Sequence, residues 1–146
     1  MTSNRNISIL LVEDNLGDIR LTREALKESK ISNSLHVVRD GVETFAFLRK
    51  EGIFKDVPRP DIIFLDLNLP KKDGREVLSE IKQNEDFKSI PVIILTSSYE
   101  EQDILKSYNL QDNCYIKKPL DLDQFIKIVK SISNFWFSIV KLPLNS

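Results

Sequence analysis

Residues 7–14 read ISILLVED, a nearly unbroken apolar run that stops abruptly at two carboxylates. Similar apolar runs recur at residues 35–38 (LHVV), 62–65 (IIFL), 92–95 (VIIL) and 114–116 (CYI). Apolar runs without polar alternation are typical of strands that are buried on both faces, as in a parallel sheet. The five runs therefore predict five strands of one parallel sheet.

The segments between these runs have the apolar spacing of helices. Leu16, Ile19 and Leu26 form one stripe, and residues 77–81 and 104–108 carry similar stripes. Alternating strands and helices predict an α/β fold, a doubly wound five-stranded parallel sheet with right-handed crossovers and helices on both faces. In such sheets, ligands bind beyond the carboxyl ends of the strands.

Composition limits the class of protein. The chain has 146 residues, with 21 basic and 22 acidic side chains and a formal net charge of −1. The length predicts one domain, and the balanced charge argues against a nucleic-acid partner. The single cysteine, Cys114, cannot form an internal disulfide, which is typical of a reducing compartment. Because no apolar run is long enough to cross a bilayer, we expect a cytoplasmic protein without membrane contact.

Polar side chains stand at the carboxyl ends of the predicted strands. Glu13 and Asp14 follow the first run, Asp66 the third and Thr96 the fourth, and Lys118 lies just beyond the fifth. Two carboxylates about 5 Å apart repel by roughly 3 kcal/mol at an effective dielectric of about 20, so three in one cleft favour a bound cation. Oxygen ligands too few to enclose an ion suit Mg²⁺, which keeps several of its waters.

These groups together suit phosphoryl transfer, in which a protein mainly positions reactants and neutralises charge. Asp66 is the candidate nucleophile, because an aspartate can form an acyl phosphate and this one follows the predicted central strand. Thr96 and Lys118 would bind the remaining phosphoryl oxygens. An isolated aspartate at a strand end is more often a helix cap, so the combination of residues carries this prediction.

The motifs ILLVED, FLDLNLPKKDG, VIILTSS and YIKKP, in this order, resemble the receiver domain of two-component response regulators, the CheY-like superfamily. The resemblance covers about residues 7–133 and implies a flavodoxin-like sheet with strand order 2-1-3-4-5. It further implies that residues 1–146 are a single receiver domain with a C-terminal extension at about residues 134–146.

The resemblance implies a metal-binding role for four residues. Asp66 would be the phosphoacceptor, Asp14 a direct Mg²⁺ ligand and Glu13 its acidic neighbour. Asn68 would offer its backbone carbonyl to the metal.

The resemblance also implies how the phosphoryl group is bound and sensed. Thr96 would be the switch hydroxyl, Lys118 the phosphate-binding lysine and Tyr115 the aromatic switch residue. The small side chain of Ser97 would leave the phosphoryl group reachable. Such a protein takes its phosphoryl group from a sensor histidine kinase and signals to a downstream protein through a changed surface. The resemblance implies no enzyme activity other than self-phosphorylation and auto-dephosphorylation.

Two segments narrow the resemblance to single-domain regulators paired with cyanobacterial phytochrome-type histidine kinases. The approach to the third strand, residues 50–61 (KEGIFKDVPRPD), is long, and the tail at residues 135–143 reads FWFSIVKLP. The tail carries more apolar surface than one helix end easily hides. We therefore expect Phe135, Trp136 and Phe137 to form a homodimer interface.

Two other classes of function stay open at this stage. A haloacid-dehalogenase-type phosphatase also uses an aspartate nucleophile and Mg²⁺, but it would carry an aspartate where Asn68 stands. A phosphorylation-independent dimeric interaction module would have no need of Asp66, Thr96 and Lys118. Turnover of small phosphate esters would identify the first class, and failure to bind Mg²⁺ would favour the second.

Overall fold

The computed structural model describes residues 6–28, 32–69, 73–96, 114–117, 123 and 127, with the backbone alone at residues 96 and 114–117. Five parallel strands form one sheet in the order β2-β1-β3-β4-β5. The strands are β1 (Ile7–Val12), β2 (Asn33–Val38), β3 (Ile62–Asp66), β4 (Val92–Thr96) and β5 (Cys114–Lys117). Both the five predicted strands and their predicted order are confirmed.

Three helices lie between the first four strands: α1 (Leu16–Glu28), α2 (Gly41–Leu48) and α3 (Gly74–Gln83). Aspartates begin two of them, since Asp40 accepts a hydrogen bond from the Glu43 amide and Asp73 accepts one from the Arg75 amide. Beyond residue 117 the structure describes only Asp123 and Lys127, which are helical and exposed, and the predicted helix at residues 104–108 lies outside the described residues.

The sheet separates two apolar cores, because successive side chains of a strand point to opposite faces. On one face, Leu10, Ile63 and Leu65 belong to a cluster with Phe47 of α2 and Leu78 of α3. On the other face, a second cluster joins β1, β3 and β4 to α1; its members include Ile9, Leu11, Phe64, Leu95, Ile19 and Leu26. Burial on both faces explains why the strands read as unbroken apolar runs.

Four strand bounds differ from the sequence prediction. Asp66, Thr96 and Lys117 are the last residues of β3, β4 and β5, whereas the apolar pattern predicts that each strand stops one residue earlier. Strand β2 begins at Asn33, two residues before the predicted run. Backbone pairing decides the boundary, because Asp66 is in register with Leu95 and Thr96 with Lys117. A residue with a polar side chain at the carboxyl end of a strand can therefore still pair through its backbone with the neighbouring strand.

The long segment before β3, residues 50–61, is held against the rest of the protein by contacts at three of its residues. A short 3₁₀ turn (Gly52–Phe54) places the Phe54 ring 5.4 Å from the Phe47 ring. Arg59 donates a hydrogen bond of 2.6 Å to the Asp86 carbonyl, and Asp61 accepts one of 2.8 Å from the Ser8 amide. These contacts tie the segment to α2, to the loop after α3 and to β1.

Within the described ranges, no helix is both long enough and apolar enough to cross a membrane.

Candidate functional site

Two carboxylates lie directly beyond the end of β1. The side chain of Glu13 is fully buried, and its amide donates to the Val38 carbonyl at 3.0 Å, which extends the β1–β2 pairing past Val12. The Asn15 amide donates to Glu13 Oε2 at 3.2 Å. Asp14 is half-buried at the same edge. The end of the strand therefore holds both acids close to the sheet.

Asp66 ends the neighbouring strand β3 with a side chain that is only 2% exposed. Its Oδ1 accepts a hydrogen bond of 3.0 Å from the Asn68 amide, and the Leu67 amide donates to the Leu95 carbonyl at 3.2 Å. The first bond fixes the plane of the carboxylate, and the second fixes the backbone just after it. Asp66 is thus held in place at the carboxyl end of the central strand, β3.

The structure brings the three predicted acids together. Carboxylate oxygens of Glu13, Asp14 and Asp66 all lie within 4.8 Å of one another. Each pair of like charges at this spacing repels by roughly 3 kcal/mol at an effective dielectric of about 20, and a cation between them offsets that repulsion. Three hard oxygen donors, two of them on buried side chains, fit a divalent ion such as Mg²⁺ that keeps part of its water shell.

Gly74 allows α3 to begin against this site. A Cβ atom on Gly74 would lie 2.5 Å from Leu67 Cα and 2.6 Å from the Asp66 carbonyl oxygen. Only a residue without a side chain permits that approach. Gly74 is the first residue of α3 and a packing contact of Asp66.

Arg39 also touches the site and was missed as a functional residue. Its guanidinium Nη2 donates to the Asp14 carbonyl at 3.3 Å, and its own amide donates to Glu43 Oε1 at 2.8 Å. It links the loop after β2 to the loop that carries the acids. The sequence does place Arg39 directly after the second apolar run, at the carboxyl end of a predicted strand, where functional side chains are expected.

Apart from Asn68, the remaining predicted site residues are placed by backbone alone or lie outside the described residues. The backbone of Thr96 ends β4 beside β3, and the backbone of Tyr115 pairs with Ile94 one strand further out. Asn68 is exposed next to Asp66. Ser97, Lys118, Phe135, Trp136 and Phe137 fall outside the described part of the chain.

Two polar residues of β2 and of the loop after it make structural contacts. Asp40, one of the aspartates that follow a strand, is the N-cap of α2, since its Oδ1 accepts from the Glu43 amide at 2.8 Å. His36, the single histidine, packs its ring 5.4 Å from the ring of Phe47. Asp40 therefore has the capping role that is usual for an isolated aspartate at a strand end, and His36 packs against an aromatic ring.

Similar proteins match nearly the whole length of this chain. Response regulator Rcp1 of Synechocystis is 52% identical over 141 residues, which are 97% of this chain and 96% of the relative. The crystal structure of the phosphorylated cyanobacterial phytochrome response regulator RcpA superposes with a TM-score of 0.78 at 52% identity, covering 92% of this chain and 96% of that one. The Mn²⁺-bound form of Rcp1 gives a TM-score of 0.75 at 52% identity, with coverages of 89% and 94%.

The family model named "Response regulator receiver domain" matches residues 9–130. This span includes all but the first two residues of β1, the whole of β2 to β5 and all three acids of the cluster. The chain therefore belongs to the response regulator receiver domain family.

Proposed function

We propose that this protein accepts a phosphoryl group on Asp66 from a sensor histidine kinase and that the transfer requires Mg²⁺. The observation that carries the proposal is the convergence of Glu13, Asp14 and Asp66 within 4.8 Å at the carboxyl edge of the sheet. Asp66 is the acid on the central strand, and its side chain is held in one orientation by the Asn68 amide. Membership in the receiver family favours this function over the haloacid-dehalogenase alternative.

In the proposed reaction, a carboxylate oxygen of Asp66 attacks the phosphorus of the kinase phosphohistidine. The new O–P bond forms as the P–N bond breaks, and the electron pair of that bond returns to the imidazole, which takes up a proton. The Asn68 hydrogen bond at Oδ1 fixes the carboxylate plane and so the direction from which Oδ2 can attack. The product is an acyl phosphate, which water later hydrolyses.

Glu13, Asp14, Asp66 and the backbone carbonyl of Asn68 would hold the metal. A bound Mg²⁺ would supply charge neutralisation for the three carboxylates and for the incoming phosphoryl oxygens. The Mn²⁺-bound form of Rcp1, at 52% identity, supports a divalent ion in this site. Thr96 and Lys118 would bind the phosphoryl oxygens that the metal leaves.

The proposed switch begins with the charge of the phosphoryl group, about −1.5 to −2 near pH 7. Thr96 would move its hydroxyl toward that charge, and Tyr115 would turn toward the space that Thr96 leaves. The backbone positions support this coupling, because Thr96 ends β4 beside β3 and Tyr115 lies on the next strand. Ser97 would keep the phosphoryl group accessible. The signal would leave through a changed protein-interaction surface.

The proposed partners are a phytochrome-type histidine kinase, a downstream protein and a second copy of this chain. Similarity to the phosphorylated cyanobacterial phytochrome response regulator RcpA supports the kinase class. The apolar sequence at Phe135, Trp136 and Phe137 supports the homodimer. Light scattering at micromolar concentration tests the dimer, and a monomer mass both with and without phosphorylation would refute it. We further propose that residues 1–146 act as one receiver domain in the cytoplasm.

Radiolabelled acetyl phosphate tests the central step without the kinase. The wild-type protein should retain label in Mg²⁺ and lose that capacity in EDTA, while Asp66→Asn should retain none. Asp56→Asn is a matched control, because Asp56 is an exposed aspartate in the segment before β3. Label on Asp66→Asn at the wild-type level would overturn the proposal.

A further inference from the structure

Strand β2 forms one edge of the sheet, two strands away from the strand that carries Asp66. Among the described residues, it pairs only with β1. Edge strands are commonly protected from pairing with other chains by charged residues, prolines or bulges. Residues 33–38 (NSLHVV) contain no Lys, Arg, Asp or Glu and no proline, and their register with β1 is uninterrupted over six residues. Within the described residues, this edge therefore carries neither the charges, nor the prolines, nor the bulges that commonly block pairing.

The register shows which backbone groups face outward. Ile7 donates its amide to the Ser32 carbonyl, and Glu13 donates to the Val38 carbonyl, each at 3.0 Å. Parallel pairing alternates, so the even-numbered residues of β2 direct both backbone groups toward β1. Leu35 and Val37 consequently direct their N–H and C=O groups away from the sheet. They offer hydrogen bonds to a further strand.

A cavity of about 580 Å³ opens beside the same edge, between the second half of α1 and the start of β2. Leu26, which is buried, and Leu35 supply its apolar lining, while Arg23 and Lys27 supply two exposed cations one helical turn apart. Glu24, an acidic residue that also lines the cavity, forms an ion pair with Arg20 at 3.4 Å. In the described part of the chain, no ion pair joins Arg23 or Lys27 to an acid. The cavity is therefore suited to an acidic side chain.

We propose that the β2 edge binds an extended segment of a partner protein that alternates acidic and other side chains. Its backbone would pair with Leu35 and Val37, and every second side chain would point toward α1. Acidic side chains at those positions would meet Arg23 and Lys27. This inference does not depend on phosphorylation, because the site lies at the start of β2 and the acid cluster lies at the carboxyl ends of the strands.

Charge argues against a second copy of β2 as the occupant. Two β2 strands paired edge to edge about a two-fold axis would place both copies of α1 on the same face. The β2 strand of a second copy offers no carboxylate. Arg23 and Lys27 would therefore gain no acidic partner from β2 in such a pair. An acidic strand from a different protein supplies one.

Amide NMR of the ¹⁵N-labelled protein, titrated with a blocked peptide of sequence TVEVEVT, tests the proposal. Its glutamates lie on one side of an extended chain. We expect saturable shifts of the amides of residues 33–37 and of α1 residues 23–27. The lysine counterpart, TVKVKVT, and a version N-methylated at alternate backbone positions should bind about tenfold more weakly or not at all.

Variants of the protein separate charge from backbone pairing. Arg23→Glu with Lys27→Glu should weaken binding of TVEVEVT by about tenfold. Val37→Pro removes one outward N–H at an edge position where proline is compatible with a strand, and it should weaken binding similarly. Lys55→Glu, an exposed lysine before β3, is the charge control and should leave binding unchanged. Dispersed amide spectra verify that each variant is folded.

Three results would overturn the proposal. The first is the absence of localised shifts at millimolar peptide, and the second is equal binding of the glutamate and lysine peptides. The third is concentration-dependent broadening of the amides of residues 33–37 in peptide-free protein, which would make a second copy the occupant.

Discussion

Gly74 and Leu67 approach so closely that a Cβ atom on Gly74 would lie 2.5 Å from Leu67 Cα. The contact sets the distance between the start of α3 and the end of β3, where Asp66 stands. Because the obstructing atoms belong to the backbone, they cannot move aside by a change of rotamer. The shape of the site thus depends on a residue that contributes no chemical group.

We expect Gly74→Ala to lower the free energy of unfolding by about 1–3 kcal/mol, the usual cost of adding a methyl group to a packed contact. Urea denaturation measures it. Gly17→Ala is the matched control, since its Cβ would meet only the Asn15 side chain at 3.2 Å and alanine favours a helix. A Gly74→Ala protein as stable as Gly17→Ala would contradict the packing role.

Removal of the Asp61 side chain should loosen the segment before β3. Asp61 Oδ2 accepts from the Ser8 amide at 2.8 Å, and Asp61→Ala leaves that donor without this partner. We expect a loss of about 1–2 kcal/mol in the free energy of unfolding, typical of an orphaned backbone donor. Asp56→Ala removes an exposed carboxylate from the same segment and should change stability by less than about 0.5 kcal/mol.

The acid cluster should make stability depend on divalent metal. Without metal, Asp14→Asn removes one of three mutually repelling charges and should raise the free energy of unfolding by about 1 kcal/mol. With Mg²⁺ at about 100 times its Kd, the wild-type protein should gain about 2.7 kcal/mol, and Asp14→Asn should gain much less. Thermal denaturation in EDTA and in Mg²⁺ measures both effects. An equal gain in the two proteins would remove Asp14 from the metal site.

Lys82, in the last turn of α3, should make the free energy of unfolding depend on pH in the alkaline range. Partial burial lowers the pKa of its ammonium group below the ordinary value of 10.5. The unfolded chain therefore holds this proton more tightly, and the free energy of unfolding should rise as pH increases from the folded pKa toward 10.5. Denaturation of Lys82→Gln should lack this contribution. A wild-type protein with the same alkaline slope as Lys82→Gln would contradict the prediction.

Much of the fold could be predicted because its strands are buried on both faces. The run ISILLV, for example, identifies β1 without ambiguity, and the acids that follow it lie at the edge where α/β sheets bind ligands. The sequence could not show that Asp66 and Thr96 still pair within the sheet, since strand ends depend on register with neighbouring chains.

Contacts between distant loops were also hidden from the sequence. Arg39 reaches the Asp14 carbonyl across 25 positions, and Arg59 reaches the Asp86 carbonyl across 27. No local pattern encodes such partners, because a surface arginine has many rotamers and the fold selects among them. The tight approach of Gly74 to Leu67 belongs to the same class, because glycine in a loop is equally consistent with a simple turn.

Chemical mapping of the phosphoryl group tests the central claim most directly. Protein phosphorylated with acetyl phosphate in Mg²⁺ is treated with borohydride, which reduces an aspartyl phosphate to homoserine, and the peptides are then sequenced by mass spectrometry. We predict homoserine at position 66 and intact aspartate at positions 14, 40 and 73. Homoserine at another position, with position 66 intact in a protein that retains its phosphoryl group, would contradict the account.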